Sequence, residues 1–251
     1  VKAALIAPKG YEDSVLHSDI HLMLPLPGTL SNPAYLRTYK EAKRRGDYII
    51  LDNGVAEGQL VDVDTLLSTA ELVGAQEVVA PDVMGNSIGT HKLTQDFLLR
   101  STVELKRMSL KVMGVLQGRT WSDRMSLASY YASQPEITTI GIPKVVVQYR
   151  GSTIRAVTAQ WLEETFPRRF EIHLLGASEY FVDELKEVHF IGDIRSTDSA
   201  LPYKFTRARQ RLGYDHEHVK RWSTYFTTPE NLDQDLLGYN IQTYLRWAEE
   251  A

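Results

Sequence analysis

Residues 48–82 read YIILDNGVAEGQLVDVDTLLSTAELVGAQEVVAPD, and the fold turns on them. A short apolar segment leads into a polar turn, then a helical segment, then a second apolar segment that again ends on aspartate. In the helical segment Val63, Leu66, Leu67, Ala70 and Val73 share one face at the 3.6-residue period, and Gly74 closes it. The apolar segments YIIL and EVVA do not alternate, as parallel strands buried on both faces should not. The unit is β–α–β.

Outward from this stretch the same unit recurs. Strand-like runs lie at 2–7, 21–26, 48–51, 77–80, 111–116, 138–142, 171–175 and 188–191. Ser31-Asn32-Pro33 offers a helix cap with proline at the first helical position, and Gly46 sits where that helix should stop. Further helices are expected at 87–108, 121–133, 153–166 and 180–187, whereas the link between the first two strands is short and irregular. Eight strands with crossovers in 251 residues predict an α/β fold, a (β/α)8 TIM barrel. The competing arrangement is an open doubly wound sheet, but the chain holds neither a GxGxxG nor a GxxxxGK[ST] phosphate loop. Residues 1–202 form the barrel, and 203–251 form an extension of two or three polar helices packed on it, not an independent domain.

Composition narrows the function. With 28 basic and 32 acidic residues the net charge is −4, so no global positive field announces nucleic acid, although a local basic patch is compatible with it. The absence of cysteine excludes a disulfide framework, a thiolate nucleophile, an iron–sulfur cluster and any Cys-ligated structural zinc. Apolar runs fall far short of the ~20 residues that cross a bilayer. The opening VKAALIAPKG is too short and too soon interrupted for a signal peptide. A soluble, cytoplasmic protein without membrane partners is expected. His17 and His21, spaced i,i+4, and His216 with His218 lack the wider ligand set of a metal site and read as surface histidines. Neither metal nor cofactor is expected.

In a (β/α)8 barrel, chemistry sits where strands end. Those positions hold Asp52 in LDNG, Asp82 in APDV, Gln117 in LQG, Gly141 in IGIPK and Gly176 in HLLGAS. Asp198 in IRSTDSALP lies just beyond the expected eighth strand. Each aspartate alone could be a helix cap or an Asx turn, and Gln117 and Gly141 could be ordinary turn residues. Joint placement on consecutive strands makes the set a candidate site with three carboxylates and an amide on one rim.

LDNG, APDVMGNS, GVLQG, IGIPK, HLLGAS and DSALP, in that order, resemble the motifs of the tRNA-guanine transglycosylase superfamily. The resemblance spans most of the chain, from about residue 48 to residue 203. It implies a (β/α)8 barrel that exchanges a guanine in a polynucleotide for a 7-deazaguanine such as preQ0 or preQ1. It also implies roles. Asp198, followed four residues later by Pro202, matches the nucleophile; Asp52 matches the general acid/base. Asp82 and Gln117 match the pair that reads the base edge, and Gly141, Leu175 and Gly176 match backbone and side-chain walls beside the base.

Elementary chemistry fits those roles. Exchange at C1′ with retained configuration needs a carboxylate to hold the sugar, as in retaining glycosidases. A second carboxylic acid protonates the departing base and then accepts a proton from the incoming one. A third accepts two N–H bonds from a guanine, and Gln117 donates to its O6 edge.

Two departures from the family pattern bear on substrate. The family turn D-S-G-G-[YF]-Q is here Asp52-Asn53-Gly54-Val55-Ala56-Glu57, which loses a glycine and an aromatic and alters the pocket wall. The tRNA enzymes' zinc site of cysteines and histidine cannot be built. In its place stands 203–222, YKFTRARQRLGYDHEHVKRW, with Lys204, Arg207, Arg209, Arg211, Lys220 and Arg221 among aromatics. Such a run either tracks phosphates or forms a solvated helix face. Lys144, Arg195 and the turn Gly151-Ser152-Thr153 are further candidates for phosphate contact.

A short chain without the zinc site resembles the DNA-modifying branch of the superfamily, found in phages and bacterial modification clusters; a phage-encoded member would act in the host cytoplasm. The expected substrate is single-stranded or opened DNA with a preQ0-type base, handled alone, as a homodimer or with an accessory protein. Rival readings are a tRNA-directed enzyme of the same chemistry, a (β/α)8 N-glycoside hydrolase, and a non-catalytic nucleic-acid-binding subunit. Asp193 is the next candidate nucleophile after Asp198.

Overall fold

The structure, a computed structural model, describes residues 1–144, 154–177, 181–188, 191, 194–213, 222 and 224–250, with the backbone alone at 181–183. Eight strands form one sheet: β1 (Lys2–Leu5), β2 (Ile20–Met23), β3 (Tyr48–Leu51), β4 (Glu77–Val79), β5 (Lys111–Val115), β6 (Ile137–Pro143), β7 (Glu171–Leu175) and β8 (Ile194–Ser199). Every pair is parallel, in the order β1-β8-β7-β6-β5-β4-β3-β2. β1 and β2 lie side by side at the seam, with no ladder recorded between them. The chain is a nearly closed (β/α)8 barrel with a C-terminal helix.

The helices start and stop where their caps dictate. α1 (Pro27–Leu30) is a single turn. In α2 (Pro33–Arg45) Asn32 accepts from the Ala34 N–H, and Gly46 takes the left-handed conformation at φ 80°. α3 (Val63–Val73) is capped by Asp62, and α4 (Ser87–Met108) by Asn86. α5 (Trp121–Ala132) carries a reciprocal capping box between Thr120 and Asp123. α6 (Ile154–Thr165) and α7 (Phe181–Val188) follow β6 and β7. Between β1 and β2 only a 3₁₀ turn, Glu12–His17, replaces a helix.

The expected eighth strand at 188–191 is corrected. Val188 closes α7, and β8 is Ile194–Ser199, whose sequence IRSTDS is polar because its inner face lines the site and the barrel floor. Apolar content therefore pointed to the wrong segment. The extension also differs from the polar helices expected. α8 (Leu201–Arg207) buries Leu201, Tyr203 and Phe205, so a division at residues 202/203 falls inside it. α9 (Gln234–Glu250) buries Leu237, Ile241, Tyr244 and Trp247 and packs on α8 and β1.

Two apolar layers result from strand alternation. Ala4, Ile20, Leu22, Ile50, Val79, Met113 and Val115 fill the barrel interior. Leu5, Ile49, Leu51, Val78, Val112, Ile140 and Leu174 face outward to the helices. Among the described residues no helix is long and apolar enough to cross a membrane.

Candidate active site

Above the apolar interior, at the carboxyl ends of the strands, opens a cavity of about 650 Å3. Asp52, Asp82, Gln117, Leu175, Gly176 and Asp198 all line it. Strand geometry explains this convergence: residues two apart share a face, so Ile50 and Asp52, or Met113, Val115 and Gln117, climb the inner wall in turn.

Asp52 extends β3 by one residue, its N–H reaching the Met23 carbonyl at 2.8 Å. Asn53 then turns away from solvent. Its amide nitrogen donates to the Ala80 carbonyl at 2.8 Å and to Asp82 Oδ1 at 2.6 Å, while its Oδ1 accepts from the Val55 N–H. Gly54 completes the turn at φ 77°, where a Cβ would stand 2.2 Å from the Gln59 carbonyl oxygen. Only glycine fits. The Asp-Asn-Gly triplet thus presents one carboxylate to the cavity and ties the loop after β3 to the end of β4.

Asp82 and Gln117 form a closed pair. Gln117 Nε2 donates to Asp82 Oδ2 at 2.6 Å, and Gln117 Oε1 accepts from the Gly85 N–H at 2.9 Å. This fixes the amide orientation and leaves one N–H on Gln117, with one lone-pair site on each Asp82 oxygen.

Asp198 lies within β8 and is only 3% exposed. Its Oδ1 accepts from the Gly176 N–H at 2.9 Å and pairs with His173 Nε2 at 3.0 Å. His173 Nδ1 meets Ser196 Oγ at 2.8 Å, and Arg195 Nε donates to that Oγ at 3.2 Å. Arginine can only donate and a carboxylate can only accept. His173 donates from Nε2 to Asp198, and in the neutral ring its Nδ1 then accepts a hydrogen bond from the Ser196 hydroxyl. The result is a one-way chain of donors aimed at Asp198.

Among the described residues four carboxyl groups face this cavity: Asp52, Glu57, Asp82 and Asp198. Burial, and next the charges of Glu57 and Asp198, push Asp52 from 3.8 up to about 8. Burial also raises Asp82, opposed by the hydrogen bonds from Gln117 and Asn53. Lys144, just after β6, and Lys204, on α8, bring positive charge to the rim. Trp222, Tyr225 and Phe226 from the extension supply an aromatic wall. The Tyr225 hydroxyl is anchored on the Ile6 carbonyl.

Several expected roles change. Gly141 does not line the cavity: a Cβ there would meet Leu175 Cδ1 at 2.7 Å and Met113 Sδ at 2.9 Å, so these side chains cover the glycine. Arg195 is corrected outright as a phosphate contact. It sits at the opposite, amino end of the strands, 2.7 Å from Glu77 and 3.0 Å from Glu171, with its guanidinium over the Tyr48 ring. Arg207 pairs with Glu230 at 2.8 Å and lies over Trp222, Arg211 lies over Tyr239, and Arg209 is exposed. None of these three lines the cavity; among the described cations of that run Lys204 alone does, beside Trp222. His21 is a core residue bonded to Asp47 at 2.8 Å, while His17 faces solvent. Lys220, Arg221, His216, His218, Asp193 and the turn 151–153 lie outside the described residues.

Reading the sequence missed His173, Asn53 and Glu57 as contributors. The two-residue strand period was the available signal, since it places His173 on the face of Leu175 and Ser196 on the face of Asp198. Compared with known proteins, the chain matches no family model and no curated sequence.

Proposed function

We propose that the chain is a base-exchange transglycosylase that replaces guanine in DNA with a 7-deazaguanine of the preQ0 type. One observation carries the reading: a single cavity holds two carboxyl groups in unlike surroundings. Asp52, pushed up to about 8, keeps its proton at neutral pH, while Asp198 is gripped through Oδ1 by His173 and Gly176. These unlike environments support Asp52 as the acid and Asp198 as the nucleophile.

In the first half-reaction an Asp198 oxygen bonds to C1′ as the C1′–N bond breaks, and the electron pair leaves with guanine, which takes the Asp52 proton. In the second, Asp52 as carboxylate removes a proton from the incoming base. The base nitrogen then bonds to C1′ and releases the Asp198 carboxylate. Asp82, through its remaining acceptor sites, favours a base that offers adjacent N–H groups, and the aromatic wall stacks on it. These 251 residues hold no cysteine with which to build a Cys-ligated zinc site like that of the tRNA enzymes, which favours DNA as the polynucleotide.

The test is to incubate the protein with labelled guanine and either DNA or tRNA, then to digest to nucleosides and analyse by mass spectrometry. Label in DNA, displaced by added preQ0, is the expected result. Label in tRNA alone would transfer the chemistry to tRNA, and free base without incorporation would make the protein a hydrolase.

A further inference from the structure

A second hollow, of about 400 Å3, opens between the ends of β5 and β6 and the first turns of α5 and α6. It shares Met84, Gln117 and Pro143 with the main cavity, so the two spaces adjoin across those side chains. Its volume lies within the range of small-ligand pockets, ~300–1,000 Å3.

Two arginines buried within the fold border this hollow, and they are treated very differently. Arg155 is bidentate on Glu184 and also donates to the carbonyls of Leu175 and Gly176. Its charge is met and its donors are used. Arg124, on α5, is 8% exposed, and among the described residues it makes one hydrogen bond, from Nε to the Gly118 carbonyl at 3.3 Å. No ion pair joins it to a carboxylate among the described residues. The neighbouring Asp123 is committed to the capping box, accepting from the Thr120 N–H at 2.9 Å. Desolvation lowers the Arg124 pKa. A single carbonyl does not neutralise a guanidinium, and an anion entering the hollow would supply the missing charge.

The surroundings describe the anion. Arg119 stands exposed on the rim, and Trp121, 38% exposed, lies one turn before Arg124 and edge-on to Trp161. Met84, Leu116, Ile142, Pro143 and Ile154 give the hollow apolar wall, beside the polar Gln117 and Thr158. A bare phosphate would leave those walls in contact with water. A phosphate attached to a flat base would cover them.

The geometry points to a subsite for the nucleotide that adjoins the exchanged one, its phosphate on Arg124 and Arg119 and its base against Met84, Ile142 and Pro143. This rests on the proposed polynucleotide substrate and extends it. The site would read sequence context through the neighbouring base, and would fix the register in which the target nucleotide enters the main cavity.

The test combines Arg124→Gln and Arg124→Lys with oligodeoxynucleotides that carry one neutral methylphosphonate at successive linkages around the target guanosine. Melting curves establish that each variant is folded. The expected result is an oligonucleotide affinity at least 10-fold weaker for Arg124→Gln, intermediate for Arg124→Lys, with a salt slope reduced by about one. One methylphosphonate position should cost the wild type a similar factor and cost Arg124→Gln nothing more. Unchanged affinity and salt slope in a folded Arg124→Gln, with base exchange intact, would overturn the subsite and leave the transglycosylase reading standing. Wild-type protein that neither binds nor modifies any polynucleotide would overturn both. Arg124-dependent binding of inorganic phosphate, with no linkage sensitive to methylphosphonate, would make this a free-anion site and overturn the nucleotide assignment. Should Arg124→Gln fail to fold, the methylphosphonate series on wild type decides alone: one sensitive linkage supports the subsite, and none refutes it.

Discussion

At the floor of the barrel, charge is matched. Arg195 meets Glu77 and Glu171 within 3.0 Å and covers the Tyr48 ring, so the strand ends are sealed by opposite charges in contact. At the rim, charge is left in conflict. Asp52, Glu57 and Asp198 face the same space, and Asp52 is pushed up to about 8. One chain thus solves the same electrostatic problem in two ways about four residues apart along each strand. Paired charges hold the floor together, whereas crowded, buried carboxyl groups at the rim raise a proton affinity, the condition that acid–base chemistry requires.

The contrast can be broken most severely at Asp198. Asp198→Ala should abolish exchange and the covalent DNA adduct, a loss of ~10⁴-fold or more in rate, while the circular dichroism spectrum is retained. Exchange above background would place the nucleophile elsewhere. Asp52→Asn should slow turnover by ~10²–10⁴-fold and let the adduct accumulate, visible on denaturing gels.

The same substitution should stabilise the fold, and the sign follows from linkage. Wild-type Asp52 binds its proton up to about pH 8 when folded but only up to 3.8 when unfolded. Its contribution to stability is therefore greatest below 3.8 and declines as pH rises towards 8. Asp52→Asn should melt above wild type at pH 8, with the difference shrinking towards pH 4. A constant difference across that range would detach the effect from ionisation.

At the floor the reverse holds. Arg195→Met leaves Glu77 buried and unpaired and should cost about 3–5 kcal/mol in urea unfolding, with far less effect on exchange than Asp198→Ala. His173 lies between the two ends. His173→Gln should lower kcat by about 10²-fold through misplacement of Asp198, with KM and melting temperature little changed. A matched fall in stability and rate would reduce it to a packing residue. The smallest effect is expected when Arg207, Arg209 and Arg211 are changed together to Gln. Since Arg207 is paired with Glu230 and Arg211 rests on Tyr239, the salt slope of DNA binding should flatten by about one phosphate contact, not three.

Much of the barrel was legible because parallel strands are apolar and helices carry punctuation. Asn32-Pro33, Gly46 and Gly74 sit where local chemistry requires them. Legibility failed where the barrel interior is polar. β8 carries serine, threonine and aspartate because it faces both floor and site, and the apolar residues at 188–191 resembled a strand more closely. At the rim, a strand-end position sufficed to bring Asp52, Asp82 and Gln117 to one cavity, whereas Asp198 lies within a β8 that apolar content had misplaced. It could not show that Leu175 covers Gly141, or that Arg195 faces the floor, because both depend on which side chains the closed sheet brings together.

The seam between β1 and β2 has a consequence for how the molecule comes into being. β1 pairs in register with Ser196–Ser199 and packs on α9, so its partners emerge from the ribosome almost 200 residues after it. Until then its hydrogen-bonding edge has no ladder from β2 to occupy it. The nascent chain must therefore carry an open strand through most of synthesis, at the rate of ~5–20 residues per second that translation allows. Asp198 comes to the cavity on the strand that pairs with β1, so the cavity takes its full lining only when the last strand has been made.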